Sequence, residues 1–233
     1  MDENQARIVR MRDIQLDESL FRKYLTGMVL DELLCSYKGL PKGVNYMVIG
    51  DPGVGKTTII LDMLANIRLK NPGVRVLFVS AEMNEIDLAV YVKRFPKFQD
   101  IDILFIESEF DDGCQTHNYH MLTGVLDQGW DIVAIDSFYE LQGIVKEEEG
   151  ITPKKAESML LSLIKQQNKA QNRRTVNTTF LTIQQVTKSG ASSVRTASNT
   201  QSQRCLNCDW TTRRTFIRTA MLSSPSTEEA MSE

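Results

Sequence analysis

Residues 46–58 read Tyr-Met-Val-Ile-Gly-Asp-Pro-Gly-Val-Gly-Lys-Thr-Thr, and the reading of this stretch decides the fold. Tyr46 to Ile49 is an apolar run of strand length. Thr58 to Lys70 has helical patterning and stops at Asn71-Pro72-Gly73. Between them Gly50-Asp51-Pro52-Gly53-Val54-Gly55-Lys56-Thr57-Thr58 fits G-x-x-x-x-G-K-T/S in full. Glycines allow a turn so tight that several N–H groups point into one concavity, which suits phosphate oxygens. The positive end of the following helix adds to that attraction. In such a loop Lys56 reaches the β- and γ-phosphates, and the Thr57 hydroxyl completes a Mg²⁺ shell. The bland alternative, a glycine-rich turn that binds nothing, does not account for a full match set between a strand and a helix. The stretch predicts a site for a nucleoside triphosphate, with ATP and Mg²⁺ as cofactors.

Further along, Val74 to Ser80 is nearly all apolar, as in a strand covered on both faces of a parallel sheet. It ends in Ala81-Glu82-Met83. A carboxylate just past a strand end, beside a phosphate loop, is placed to polarise an attacking water. A first-turn helix acid explains Glu82 equally well from position alone. Ile86 to Phe95 predicts a helix and Ile101 to Ile106 a short strand. The polar stretch from Glu107 to His120 predicts a surface loop, in which His117 and His120 are solvated rather than a metal pair. Asp131-Ile-Val-Ala-Ile-Asp136-Ser137 is the second strong signal, an apolar strand ending in an acid that holds Mg²⁺ directly or through water, the Walker B arrangement. Lys146 to Gly150 predicts a charged loop, and Lys154 to about Arg173 a long helix. Thr179 to Ile183 predicts another strand, leading to Gln184-Gln185-Val186-Thr187-Lys188-Ser189-Gly190, where an amide could sense the γ-phosphate.

At 233 residues the chain suits one α/β domain with a sizeable core. A net charge of −3 offers no global attraction for nucleic acid, so any such surface must be local. No run of 18 apolar residues exists and the first residues do not resemble a signal peptide, which predicts a cytoplasmic protein without a membrane partner. The cysteines at 35, 114, 205 and 208 suit a reducing compartment. Cys205-x-x-Cys208 is half a zinc site at best, and no second pair has ligand spacing, so zinc is not expected. Residues 1–40 read as a helical lead-in. In it Phe21 to Leu34 predicts one helix with Leu30, Leu33 and Leu34 on a face, broken by Gly39 to Gly43.

Five ordered segments together resemble the RecA-type ATPase superfamily. They are Thr26-Gly27 to Leu33-Leu34, the loop at 50–58, Ser80-Ala81-Glu82-Met83, Ile135-Asp136-Ser137, and Val186-Thr187-Lys188-Ser189-Gly190. The likeness spans roughly residues 20–190 and is nearest the RadA (Sms) recombination ATPases and the RecA core of DnaB-type helicases. It implies an α/β fold, a mostly parallel central sheet with helices on both faces, over a core at 41–190. It further implies that Glu82 is the general base, Asp136 the Walker B acid, Gln185 the sensor, and Lys188 the lysine of the RadA V-T-K-x-G segment. Relatives of this kind bind single-stranded DNA inside a ring, usually a hexamer, with ATP between subunits. The chain differs from RadA in lacking a Cys-rich zinc module and a protease-like domain, and from DnaB in lacking its N-terminal helical domain. A compact phage-type or stand-alone core fits better. A signalling or scaffold ATPase of the KaiC type is the alternative. A small-molecule P-loop kinase is a third, but no Arg-rich lid segment is present.

After Gly190 the composition changes: 15 of the 43 residues from 191 to 233 are Ser or Thr, with no Gly, no Lys and no buried-strand pattern. A disordered tail is the plain reading. The genetic code supplies a sharper one. With each codon read one base early, Cys208, Trp210 and Thr211 become Leu, Leu and Asp whatever synonymous codons are used. Residues 204–211 can then read x-Met-Leu-Glu-Leu-Arg-Leu-Asp, a plausible strand. Residues 224–230 can read Phe-Thr-Lys-His-Arg-Arg-Gly, similar to the RadA K-N-R-F-G element. On this reading 191–233 is a frameshifted end of the core, and the segment as written packs poorly.

Overall fold

The computed structural model describes residues 10–13, 23–34, 38–106, 118–167, 178–185 and 204–208. A short antiparallel pair, β1 (Lys23–Tyr24) and β2 (Leu40–Pro41), brackets the five-residue helix α1 (Leu30–Leu34). Then follow β3 (Asn45–Gly50), α2 (Lys56–Lys70), β4 (Val76–Ser80), α3 (Glu85–Arg94), β5 (Asp102–Phe105) and α4 (Asn118–Leu126). The chain continues with β6 (Ile132–Asp136), α5 (Phe138–Glu148), α6 (Pro153–Gln167), β7 (Thr179–Gln185) and β8 (Arg204–Cys208). The main sheet has the order β5-β4-β6-β7-β3-β8 and is parallel throughout.

Strand alternation sends side chains to two cores. Tyr46, Val48, Val76, Phe78, Ile132, Ala134, Leu181 and Ile183 pack with α2, α3 and the β1–β2 pair. Met47, Leu77, Val79, Val133, Ile135 and Phe180 pack with α4, α5 and α6. Both faces are therefore covered, which is why these strands read as continuous apolar runs. Each fully buried Leu, Ile or Phe contributes about 1.5–3 kcal/mol. From β3 the chain crosses to β4, steps outward to β5, and returns through β6 and β7 to lie beside β3 again. The C-terminal ends of β3, β6 and β4 thus share one edge, at the point where the strand order reverses, and this is where α/β sheets bind ligands.

Several expectations need correction. One helix is expected from Phe21 to Leu34, but the described residues 23–34 hold β1, a turn and α1. The Asp31 carboxylate accepts hydrogen bonds from Thr26 N, Thr26 Oγ1 and Gly27 N, and Gly27 adopts a φ of 67°, so the chain turns sharply before α1. Here side chain to backbone bonds outcompete the helix. Lys146 to Glu148 belong to α5 rather than to a loop, because the buried Phe138, Leu141 and Val145 keep the helix on the core. Residues 118–120 open α4, whose Leu122 and Leu126 are buried one turn apart, so His120 is on a helix. His117 lies outside the described residues, as does the 168–173 end of the expected long helix. β7 runs on to Gln185, two residues past the expected end. Residues 204–208 form β8, parallel to β3, where the composition gave no strand. An Arg-Cys-Leu-Asn-Cys run takes its strand conformation from the unpaired edge of β3 rather than from its own propensity.

Candidate active site

The turn after β3 is shaped by two glycines with left-handed backbone, Gly53 at φ 77° and Gly55 at φ 85°. A Cβ at either position would meet nothing within 4 Å, so the requirement is conformational and not one of space. Gly55 is the N-cap of α2, and no side chain caps that helix start. Its first-turn N–H groups are the donors a phosphate would use. Lys56 is buried, and its Nζ donates to the carbonyl oxygens of Gly50 (2.9 Å) and Asp51 (2.8 Å). The lysine thus closes the loop on itself with two neutral acceptors.

Thr57 Oγ1 donates to Asp136 Oδ2 at 2.5 Å, tying the helix after the loop to the end of β6 across the intervening β7. Asp136 is 2% exposed. Burial pushes its carboxyl up to about 6, and the charge of Glu82 adds to that rise, while the Thr57 bond and the Lys56 charge act against it. Both acids stand at the C-terminal ends of neighbouring strands, β4 and β6. Glu82 itself is exposed, on a turn held from both sides. Ser80 Oγ donates to Met83 O (2.7 Å) and accepts from Met83 N (3.3 Å), and Ala81 N donates to Asp136 O (2.7 Å). The register of β4 with β6, Ser80 opposite Asp136, fixes the separation of the two acids. The backbone of Gln185 lies opposite Gly50 in the β3–β7 ladder, beside the start of the loop. Lys188 lies outside the described residues.

The roles of two residues escaped the sequence reading. Ser80 forms the turn that presents Glu82. Ser137, joined to Asp136 by a cis peptide bond, caps α5 by accepting from Glu140 N at 3.3 Å. The S-x-x-E spacing of Ser137 and Glu140 is a helix-start signature that could have shown it.

The residues present fit a magnesium nucleotide. A buried carboxylate that burial makes costly to ionise, bonded to a threonine hydroxyl, is an oxygen donor pair for a hard divalent cation. A lysine and uncapped helix N–H groups stand beside it for phosphate.

A parallel sheet in this strand order, with a glycine loop after β3 and a buried acid ending β6, is a RecA-like α/β fold. Among solved structures the chain is similar to the KaiC-like protein PH0186 from the hyperthermophilic archaeon Pyrococcus horikoshii OT3. The TM-score is 0.55 at 19% identity, covering 85% of this chain and 88% of that chain. The likeness is one of fold. No protein-family model and no curated protein matches the sequence. Among the described residues no helix is long and apolar enough to cross a membrane.

Proposed function

We propose that this protein is a Mg²⁺-dependent ATPase that acts on single-stranded DNA in recombination, repair or replication, working as a homo-oligomeric, hexameric ring. The hydrolysis reading rests on the convergence of Lys56, Thr57, Asp136 and Glu82 at one sheet edge. The loop of residues 50–58 wraps the phosphates, and Lys56 exchanges its two carbonyl partners for β- and γ-phosphate oxygens. Thr57 and Asp136 would hold the cation, which would supply charge neutralisation at the phosphate oxygens. Glu82 takes a proton from the attacking water as its oxygen bonds to the γ-phosphorus and the bond to the bridging oxygen of ADP breaks. Gln185 senses the γ-phosphate, and Lys188 couples that state to the DNA surface.

The DNA reading is supported by the five ordered segments shared with recombination and helicase ATPases. The alternative is a signalling or scaffold ATPase of the KaiC type that does not act on DNA, and the fold shared with the structural neighbour is compatible with both readings. One experiment addresses both layers. ATP turnover by the full chain is measured with and without single-stranded DNA, for the wild type and for Lys56→Ala and Glu82→Gln. Lys56→Ala should abolish hydrolysis and weaken ATP binding. Glu82→Gln should keep ATP bound and slow turnover by roughly 10²–10⁴-fold. DNA should stimulate the wild type, and DNA binding should fall steeply with salt. Stimulation absent at every salt concentration moves the protein to the signalling class, and normal turnover by Lys56→Ala removes the ATPase assignment.

A further inference from the structure

The end of β4 is held on both sides. Ser80 O accepts from Ile106 N at 2.9 Å, and Ala81 N donates to Asp136 O at 2.7 Å. The chain then turns between two anchors. Ser80 is 1% exposed, and the half-buried Met83 packs against the core shared with α2 and α3. The Ser80 hydroxyl clasps both backbone groups of Met83, donating to its carbonyl at 2.7 Å and accepting from its N–H at 3.3 Å. Beyond Met83, Asn84 opens α3 with a reciprocal cap. Its Oδ1 accepts from Asp87 N at 3.0 Å, and its own N–H donates to Asp87 Oδ2 at 3.2 Å. The first-turn acids of α3 are therefore Glu85 and Asp87, and Glu82 lies two residues ahead of the cap, outside that helix. Glu82 is the exposed residue between Ser80 and Met83, on a segment fastened at both ends.

We propose that Ser80 is a positioning residue for hydrolysis, acting through Glu82 and touching neither nucleotide nor cation. A general base works only within hydrogen-bond reach of its water, and a carboxylate on an untied turn would leave that position. Because Ser80 pairs with Asp136 in the β4–β6 ladder, clasping Met83 to Ser80 also fixes Glu82 relative to the strand end that carries the acid for the cation. The hydroxyl proton of Ser80 is committed to Met83 O, so it is not offered to a phosphate. The proposal deepens the ATPase reading above and rests on it.

The test is a double-mutant cycle on the full chain. Single-turnover ATP hydrolysis is measured for the wild type, Ser80→Ala, Glu82→Gln and the double variant, with melts showing that each is folded. Ser80→Ala should slow turnover by about 10–100-fold, the cost of misplacing a catalytic group by an ångström or so, while KM for ATP stays within about twofold. In the Glu82→Gln background the same change should slow turnover no further, because the group it positions is already lost. Should Ser80→Ala fail to fold, Ser80→Cys, of nearly the same shape and a weak donor, carries the same comparisons. Wild-type turnover by Ser80→Ala, or an equal loss in both backgrounds, overturns the positioning role and leaves the ATPase reading standing. A Ser80→Ala enzyme that needs more Mg²⁺ for half-maximal activity also overturns it, since the hydroxyl then serves the cation. A wild type that does not hydrolyse ATP, or a Glu82→Gln variant that matches it, overturns the reading of the site and this proposal together.

Discussion

At the scale of single residues, Asp136 shows how a site is assembled against stability. Its carboxyl is almost fully buried, and burial moves it from the ordinary 3.8 up to about 6. The folded chain therefore holds this proton more tightly than the unfolded chain does. The resulting stability is complete below pH 3.8 and is lost as pH rises through about 6. Asp136→Asn keeps an acceptor for Thr57 and never ionises. Without nucleotide, the variant should match the wild type near pH 4 and melt higher at pH 7.5, by on the order of 1–3 kcal/mol. Thermal melts across that range check the expectation, and a variant no more stable than wild type at pH 7.5 refutes it. Hydrolysis should be lost in the same variant, because an amide is a poor ligand for the cation. Gly27 carries a residue-scale expectation of another kind. Its φ is 67°, and a Cβ there would lie 1.9 Å from Lys70 Cε. Gly27→Ala should lower the melting temperature even though Lys70 can swing aside, since the strained backbone remains.

At the scale of elements, the base of the sheet is organised by Asp131, at the opposite end of β6 from the site. It accepts from Tyr24 Oη (2.8 Å) and from Arg75 N (3.0 Å), and Lys42 lies 3.9 Å away with its ammonium over the Tyr24 ring. These contacts fasten the β1–β2 pair under β6. Burial, helped by the Asp131 charge, raises the Tyr24 hydroxyl pKa well above its ordinary value, so it remains a donor. Asp131→Ala leaves a buried hydroxyl without its acceptor and should cost about 2–4 kcal/mol, whereas Tyr24→Phe should cost about 1 kcal/mol. The double variant should cost less than the sum, because the two share one bond. Denaturant melts measure this, and ATP affinity should stay within about twofold, since the change is remote from the loop. Elements of this kind were the least legible in the sequence. The phosphate loop, the strand ending in Asp136 and the helix from Lys56 were plain, because contiguous apolar runs and a full motif leave little choice. The turn at Thr26-Gly27 was not, because Leu30 keeps a helical period while Asp31 reaches back to bond the chain ahead of it. Glu82 was half legible: position suggested a base or a helix opener, and the turn built by Ser80 was needed to set it beside Asp136.

At the scale of the whole molecule, β8 alters the view of the tail. Residues 204–208 lie in register with Tyr46 to Gly50, and the same codons read one base early can place x-Met-Leu-Glu-Leu at those positions, the last Leu whatever codons are used. A gene corrected by one base near codon 190 should give a chain that melts several degrees higher and aggregates less than the written one. Equal melting temperatures reject the frameshift reading and keep the written tail. Removing residues after 203 from either form should uncover an edge of β3 and promote aggregation. The same pairing has a consequence for synthesis. β3 is bordered by β7 and β8, and the bond from Thr182 Oγ1 to Tyr46 O spans 136 positions of the chain. A ribosome makes β3 first in the main sheet, yet both of its neighbours emerge only after β4, β5 and β6 have been made. Throughout that interval the nascent chain carries Tyr46 to Ile49 as an unseated apolar segment, a natural client for a chaperone.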